Sequence, residues 1–279
     1  MGTSRRAFLA AGLGAAATTP FVVDLTSRPA SAATTQDTYA SNTDLYQDSD
    51  LTEGTDYGRR YRRAGLADNS YGDQVPFTAL TTVIAPHGGG IEPGTSELCL
   101  AIAGLHPGTL DPAPAGGPAY DFWMFEGLLA SGNSALHVTS THCDDDIARS
   151  LCAGSKNVLA LHGCTPSVAG LESDAEAIMV GGGNPGFKQV LIEELTTAQF
   201  AAFDAETVPA IAGTSADNIV NRNLLSGGGQ LELTTPLRST MFTINTRAGR
   251  GGSTTQAFWD FVNATRTAIA RLEAEQTVW

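Results

Sequence analysis

The sequence predicts an α/β protein whose mixed, mostly parallel central sheet lies between helices. Two observations lead to this prediction. Short apolar, β-branched or aromatic runs of strand length alternate along the chain with stretches of helical character. Several of these runs end at a histidine or at glycines, and α/β folds place their chemistry at the carboxyl ends of strands. The chain has 279 residues, of which 42% are hydrophobic, so it can bury the core of one large domain.

The first 32 residues have the three parts of an export signal. A pair of arginines lies in Ser4–Leu9, the apolar run Ala10–Val23 follows, and Ala30–Ala32 has the pattern of a cleavage site. The apolar run contains threonines and a proline, so it is too short and too interrupted to span a membrane stably. We therefore expect a twin-arginine signal peptide over residues 1–32, a single domain over residues 33–279, and a secreted protein.

The mature chain is strongly acidic. The formal charge is −13, and it becomes −15 when the leader, with its three arginines and one aspartate, is removed. Such a surface repels nucleic acid and anionic membranes, so we expect neither as a partner. The cluster Arg59–Arg63, with four arginines in five positions, predicts either a solvated edge strand or an anion-binding patch. We expect the mature protein to be a monomer.

The four cysteines permit two disulfides in an exported chain. Cys143 and Cys164 each lie just beyond a predicted strand, so they are the favoured pair. Zinc ligation by cysteine is the weaker alternative, because the chain contains no C-x-x-C motif.

In chain order, the polar residues 33–50 are expected to lie on the surface or to form an early helix. A strand then ends at His87, three glycines follow, and Thr95 is predicted as the N-cap of a helix with the buried face Leu98–Ile102. Five later runs have the apolar, β-branched or aromatic content of strands. They are Tyr120–Phe125, Leu136–His142, Asn157–His162, Glu176–Val180 and Gln230–Leu233.

Helices are predicted between and after these strands. Asp144–Asp146 caps a short helix, Pro185 opens a longer one, and Pro236 begins a further turn or helix. Residues 206–228 are predicted to form a loop. The predicted helices are Ile147–Cys152, Pro185–Glu194, Thr196–Ala205 and a C-terminal helix with the apolar stripe Phe258, Phe261, Val262, Thr265, Ile269 and Leu272.

His87 and Glu92 are five positions apart. In a helix such a pair lies about 140° apart, and in a strand it lies on opposite faces. The glycines Gly88–Gly90 admit positive φ and permit a sharp turn that brings both side chains to one point. The spacing predicts a metal site at the end of a strand, and the alternative is a glycine turn with a helix-capping acid.

His162 ends a second buried strand, so we expect it at the same edge of the sheet as His87 and Glu92. Two imidazoles and one carboxylate, with a fourth position left to water, make a catalytic zinc site. Glu232 has apolar neighbours, and loss of hydration would raise its pKa toward the working range of a general base. The structural alternatives are a core histidine at 162 and an outward strand residue at 232.

Six motifs resemble those of the poly-γ-glutamate hydrolase family, a zinc-dependent group first associated with bacteriophages that digest a γ-linked capsule. The resemblance runs in order from about Asp37 to Phe261. The motifs are APHGGGIEPGTSE at 85–97, FEG at 125–127, SGNSALHVTSTH at 131–142, LHG at 161–163, DNIVNR at 217–222 and QLEL at 230–233.

The resemblance implies a fold like that of the zinc carboxypeptidases, and it implies roles for particular residues. If Glu232 is not the general base, His142 is the next candidate for that role. Cys143 stands where family members tend to have an aromatic residue, which bears on substrate preference. The implied zinc ligands are His87, Glu92 and His162, the implied base is Glu232, and the substrate-binding candidates are Asn221, Arg222, Arg238 and His142.

The implied activity is zinc-dependent hydrolysis of γ-glutamyl amide bonds, with an anionic γ-glutamyl polymer or peptide as substrate. Arg222 and Arg238 would pair with its free carboxylates, against the net negative charge of the chain. Two alternatives remain at this point. One is a peptidoglycan peptidase or amidase that acts on γ-linked glutamate stems. The other is a non-catalytic, polymer-binding zinc protein, which Glu232 disfavours because binding alone needs no base.

Overall fold

The structure, a computed structural model, describes residues 37–64, 80–113 and 117–276. The predicted signal peptide lies outside the described residues. Within them, seven strands form one sheet in the order β1-β3-β2-β4-β7-β5-β6. The strands are β1 Tyr57–Arg62, β2 Thr81–Gly89, β3 Asp121–Gly127, β4 Asn157–Cys164, β5 Ile178–Gly181, β6 Ala202–Asp204 and β7 Gly229–Thr234.

The central strands of the sheet run in one direction. β3, β2, β4 and β7 are parallel, whereas β1 is antiparallel to β3 and β5 is antiparallel to β7. The carboxyl ends of β2, β4 and β7 therefore lie side by side at one edge. His162 on β4 is the register partner of Glu232 on β7. The predicted fold class, a mixed and mostly parallel sheet between helices, is confirmed.

Helices cover both faces of this sheet. Val83 and Ala85 of β2 enter a large core with α2, α4 and α7, whereas Ile84 enters a second core with α1 and α3. Because strand side chains alternate, His162 emerges on the same face as Ala160, which belongs to the second core. The helices are α1 Asn42–Tyr46, α2 Thr95–Ile102, α3 Asp146–Ala153, α4 Pro185–Thr197, α5 Thr235–Thr240, α6 Arg247–Arg250 and α7 Gln256–Ala274. In the described parts of the chain, no helix is both long and apolar enough to cross a membrane.

The predicted strand Leu136–His142 is wrong. The segment lies outside the sheet and contains 3-10 turns at Asn133–Leu136 and Ser140–His142. Two of its backbone groups bond to side chains instead of to a strand. The Val138 carbonyl accepts from His87, and the Thr139 amide donates to Asp37.

Other local predictions are also corrected. The predicted helix Thr196–Ala205 is wrong because α4 ends at Thr197, Gln199 has a φ of 68°, and Ala202–Asp204 pairs with β5. The N-cap of α2 is Gly94, with a φ of 104°, rather than Thr95.

The favoured disulfide between Cys143 and Cys164 does not form. All four cysteines are free and buried. Cys143 packs in the second core, whereas Cys164 belongs to a separate, smaller cluster beside β5.

Candidate metal centre

A glycine turn at the carboxyl end of β2 brings His87 and Glu92 together. The Glu92 amide donates to the His87 carbonyl at 2.8 Å and closes the turn. Gly89 has a φ of 68°, in the left-handed region that favours glycine. A Cβ atom on Gly88 would collide with the hydroxyl of Ser96. The sharp turn therefore depends on glycine at both positions.

Three candidate ligand atoms surround one point. His87 Nδ1 lies 3.0 Å from Glu92 Oε1 and 3.1 Å from His162 Nδ1, and His162 Nδ1 lies 3.6 Å from Glu92 Oε2. Zinc bonds of about 2.0–2.2 Å place tetrahedral ligands roughly 3.3–3.5 Å apart, so these distances and this donor set fit a zinc ion. Among the described residues, no other group of three His, Cys, Asp or Glu side chains comes this close together.

The outer nitrogens of the two histidines indicate which ring nitrogen faces the site. His87 Nε2 lies 2.8 Å from the carbonyl oxygen of Val138, which can only accept, so Nε2 carries the hydrogen. The neutral ring then has a lone pair on Nδ1 for a metal. His162 Nε2 lies 3.3 Å from the hydroxyl of Ser140, which can accept its hydrogen in the same way.

The electrostatic balance of the site favours an ionised Glu92. Its Oε2 accepts from the Gly163 amide at 2.8 Å. Burial would raise the pKa of Glu92, but the charges and hydrogen bonds of His87 and His162 hold that pKa well below its usual range. Burial would lower the pKa of His162, but the bond to Glu92 and the charges of Glu232 and Glu92 raise it. Glu92 is therefore in its ionised form, which is the form in which a carboxylate binds a metal.

Glu232 lies beside the three candidate ligands on the neighbouring strand. It is 6% exposed, and the Gln230 amide donates to its Oε1 at 3.0 Å. Burial raises the pKa of Glu232 to about 7, although the nearby His162 opposes the shift. The negative charge of Glu92 acts in the same direction as burial. A carboxyl group with this pKa can exchange a proton near neutral pH.

A cavity of about 310 Å³ opens beside Glu92, one of the three candidate ligands. Arg238 forms part of its wall, and a Cβ atom on Gly163 would lie 2.5 Å from the guanidinium carbon of Arg238. Glycine at 163 therefore makes room for the arginine. The residues that line the cavity include Glu92, Pro93, Gly163, Cys164, Thr165, Thr235, Arg238, Ser239 and Asn245.

Backbone and side-chain acceptors hold Arg238 in place. Its Nη1 donates to the Pro93 carbonyl at 2.7 Å, its Nε to the Leu233 carbonyl at 3.2 Å, and its Nη2 to Thr235 Oγ1 at 3.1 Å. A guanidinium has five N–H groups, so one hydrogen on each terminal nitrogen remains for another partner. The buried arginine is thus rigid and still able to bind an acceptor.

The structure does not join the other three substrate-binding candidates to the metal centre. The Asn221 amide accepts from two backbone N–H groups and donates to two backbone carbonyls, which uses its full capacity. Arg222 is half-buried, with Asp217 at 3.6 Å, and His142 is exposed at the end of a 3-10 turn. Over the described ranges, no hydrogen bond or ion pair links these three to the candidate ligands.

Most of the cluster Arg59–Arg63 forms the edge strand β1, as one of its two interpretations predicts. All four of its arginines have partners within the described chain, since Arg60 lies 3.8 Å from Glu126 and Arg63 donates to Ser150 Oγ at 3.1 Å. Arg59 bonds to Glu53 at 2.8 Å and to Asp145 at 3.2 Å, and Arg62 donates to two backbone carbonyls. Arg59 and Arg62 therefore contribute to the fold.

Sequence reasoning missed two residues next to the centre. The ring of His137 lies 4.0 Å from that of His87, and its Nδ1 is 2.7 Å from Asp37 Oδ1. Burial would raise the pKa of Asp37, but hydrogen bonds from Thr139 and His137 lower it. A histidine inside a motif was the available signal for His137, whereas Asp37 lies at the start of the family resemblance but outside all six motifs.

The chain is similar to known proteins over most of the described fold. A sequence model of the family described as poly-gamma-glutamate hydrolase matches residues 73–264. Of Bacillus subtilis (strain 168) proteins, the SPbeta prophage-derived UPF0714 protein YoqZ is 36% identical over 180 residues, which are 64% of this chain and 58% of YoqZ. The UPF0714 protein YndL is 33% identical over 179 residues, 64% of this chain and 63% of YndL. The matched part thus spans less than two thirds of each relative.

Two solved structures share the architecture. A bacteriophage poly-gamma-glutamate hydrolase matches with a TM-score of 0.69 and 29% identity, covering 86% of this chain and all of that one. YndL in an apo form described as zinc-free matches with a TM-score of 0.68 and 28% identity, covering 85% of this chain and 98% of that one. The similarity therefore extends beyond the strands that carry the candidate ligands.

Proposed function

The chain belongs to the poly-γ-glutamate hydrolase family, and from that premise we propose that it is a zinc-dependent hydrolase of γ-glutamyl amide bonds in an anionic polymer. The observation that carries the proposal is the convergence of His87, Glu92 and His162 beside the buried carboxyl group of Glu232. The zinc-free description of the YndL structure supports the choice of metal. The structural match to the bacteriophage enzyme supports the choice of substrate.

The three candidate ligands would hold the zinc through His87 Nδ1, His162 Nδ1 and the Glu92 carboxylate. When bound, zinc would polarise the scissile carbonyl and lower the pKa of a water molecule at the open position. Glu232 is the proposed general base, which takes a proton from the attacking water and returns one to the leaving amine. Its buried carboxyl group, with a pKa of about 7, suits both steps near neutral pH.

Arg238 is the proposed binding group for the substrate. Each residue of a γ-linked glutamate chain has a free α-carboxylate, and the two N–H groups that remain on Arg238 could donate to one. Arg222 is proposed as a second, weaker positive partner. Local arginines are needed because the net charge of the mature chain opposes a polyanion.

We also propose that residues 1–32 direct twin-arginine export and that residues 33–279 act outside the cell as one monomeric domain. Mass determination of the secreted protein tests the cleavage site, and its elution volume tests the monomer. A mature protein that begins elsewhere than near Ala33, or that elutes as a dimer, would contradict this part of the proposal.

The test of function compares two substrates under metal control. The protein is stripped with a chelator, reloaded with zinc, and incubated with poly-γ-glutamate or with purified cell wall. We expect zinc to restore shortening of the polymer, measured by size-exclusion chromatography, and to leave the cell wall intact. Peptide release from the wall alone would favour a peptidoglycan peptidase, and binding without cleavage would favour a non-catalytic protein.

A further inference from the structure

One short segment orients both candidate ligand histidines. We call residues 137–140 the covering segment. Its Val138 carbonyl accepts from His87 Nε2 at 2.8 Å, and its Ser140 hydroxyl lies 3.3 Å from His162 Nε2. Partners at the outer nitrogen of a ligand histidine fix its tautomer and its ring orientation. The position of the covering segment therefore sets how both Nδ1 atoms face the metal site.

The carboxylate of Asp37 bonds the covering segment at two points. Asp37 Oδ1 lies 2.7 Å from His137 Nδ1, and Asp37 Oδ2 accepts from the Thr139 amide at 2.6 Å. The two donors lie on either side of Val138, whose carbonyl orients His87. The Asp37 side chain is 10% exposed, whereas Thr139 lies at the surface, so the carboxylate is the more enclosed partner of the pair. Asp37 thus holds the backbone around Val138 in place, and the Val138 carbonyl in turn orients His87.

Asp37 has its own anchorage to the body of the protein. It precedes α1, which places the fully buried Leu45 in the second core. The Thr43 amide of α1 donates to Asp144 Oδ1 at 2.8 Å, just beyond the covering segment. We call residues 37–46 the strap. Asp37 is the residue of the strap that bonds the covering segment.

We propose that Asp37 is a positioning residue for the metal centre. It touches no candidate ligand and acts through His137 and Thr139 on the orientation of His87. The inference rests on the proposed zinc site. Asp37 lies ahead of residues 73–264, so the family match assigns it no role. Through the strap, a residue at the beginning of the described range influences the metal centre.

The first test is Asp37→Asn in the full chain. The substitution removes the negative charge, and the new NH2 group can bond His137 Nδ1 only if that nitrogen gives up its hydrogen, so the charge-assisted bond is lost. We expect the zinc dissociation constant, measured by competition with a chelator well below the unfolding temperature, to rise about 10–100-fold. We also expect ¹⁵N NMR of the zinc-free protein to show a mixture of tautomers at His87. Asp48→Asn is the matched control, because Asp48 bonds Tyr39 within the same region and does not contact the covering segment.

A second pair of variants tests the same bond from its other end. The Asn side chain in His137→Asn can place its amide nitrogen where the ring had Nδ1 and can donate to Asp37. His137→Ala cannot. We expect the asparagine variant to bind zinc more tightly than the alanine variant, which should resemble Asp37→Asn. This pair carries the test if Asp37→Asn does not fold.

The outcomes separate this inference from the proposed function. A wild-type protein without stoichiometric zinc would overturn both. A wild type that binds zinc and shortens the polymer would leave the function standing. If Asp37→Asn then matched wild type in zinc affinity and in its histidine spectrum, or if both His137 variants bound zinc equally, the positioning role would be wrong.

Discussion

The two sides of the metal centre are held by different means. On the sheet side, backbone geometry places His87, Glu92 and His162, through the glycine turn and the parallel strands β2 and β4. On the opposite side, the covering segment depends on side-chain bonds to Asp37, which is 100 positions away from His137. Local sequence thus decides which residues can be ligands, whereas a residue far along the chain helps to orient them. Damage to the sheet side should abolish binding, and damage to the cover should weaken it.

The largest expected effect comes from the sheet side. His87→Ala removes one of three candidate ligands, so we expect loss of zinc and a fall in kcat/KM of at least about 10³-fold, the several kcal/mol that a bound metal supplies. Elemental analysis and polymer cleavage measure the two losses. His106→Ala is the matched control, since His106 packs near Trp259 away from the site. Full zinc content in His87→Ala would show that the sheet side does not supply the metal ligands.

A change that leaves the ligands intact sharpens the distinction between binding and chemistry. Glu232→Gln should keep its zinc and its fold but lower kcat by about 10²–10⁴-fold, the usual contribution of a general base. The exposed Glu176→Gln is the control with the same chemical change. Turnover close to wild type in Glu232→Gln would move the role of base elsewhere, with His142 as the next candidate.

Gly163→Ala tests how closely the sheet side is packed. The new methyl group would lie 2.5 Å from the Arg238 guanidinium, so we expect unfolding free energy to fall by about 1–3 kcal/mol and KM to rise. Urea unfolding and polymer kinetics measure these changes. In the control Gly186→Ala the nearest atom is 3.5 Å away, and the added methyl group should be neutral or stabilising. Equal stability of the two variants would show that the arginine has room to move.

The smallest effect on activity and stability is expected at the half-buried Arg222. Arg222 pairs with the exposed Asp217 at 3.6 Å, so Arg222→Ala should cost about 0–1 kcal/mol of stability. If Arg222 binds a carboxylate of the polymer, KM should rise modestly and kcat should stay unchanged, with the difference vanishing at high salt. Arg149→Ala, which removes another exposed pair, is the control. A fall in kcat would place Arg222 nearer the reaction than the structure does.

The sequence predicted the sheet side well because its signals are local. The glycines between His87 and Glu92 predict a turn, and the apolar run before His162 predicts a buried strand. The cover could not be predicted in the same way. Leu136–His142 has the alternation of a strand, but it lies outside the sheet, where the Thr139 amide bonds the distant Asp37 and the Val138 carbonyl accepts from His87. Asn221 is a polar residue inside a motif and was therefore a substrate-binding candidate, yet four backbone partners occupy its side-chain amide.

The long separations in this centre have a consequence for its assembly. His87 and His162 are 75 positions apart, and the contact between Asp37 and His137 closes a still longer loop. Such loops carry an entropic cost that only the folded sheet repays, so the unfolded chain has no site to load. A metal would therefore bind the folded chain in preference to the unfolded one, and an ion present at 100 times its dissociation constant would add about 2.7 kcal/mol to the stability of the native state. Under the proposed twin-arginine route, which carries folded chains, the ion would be acquired before export and would leave the cell inside the protein.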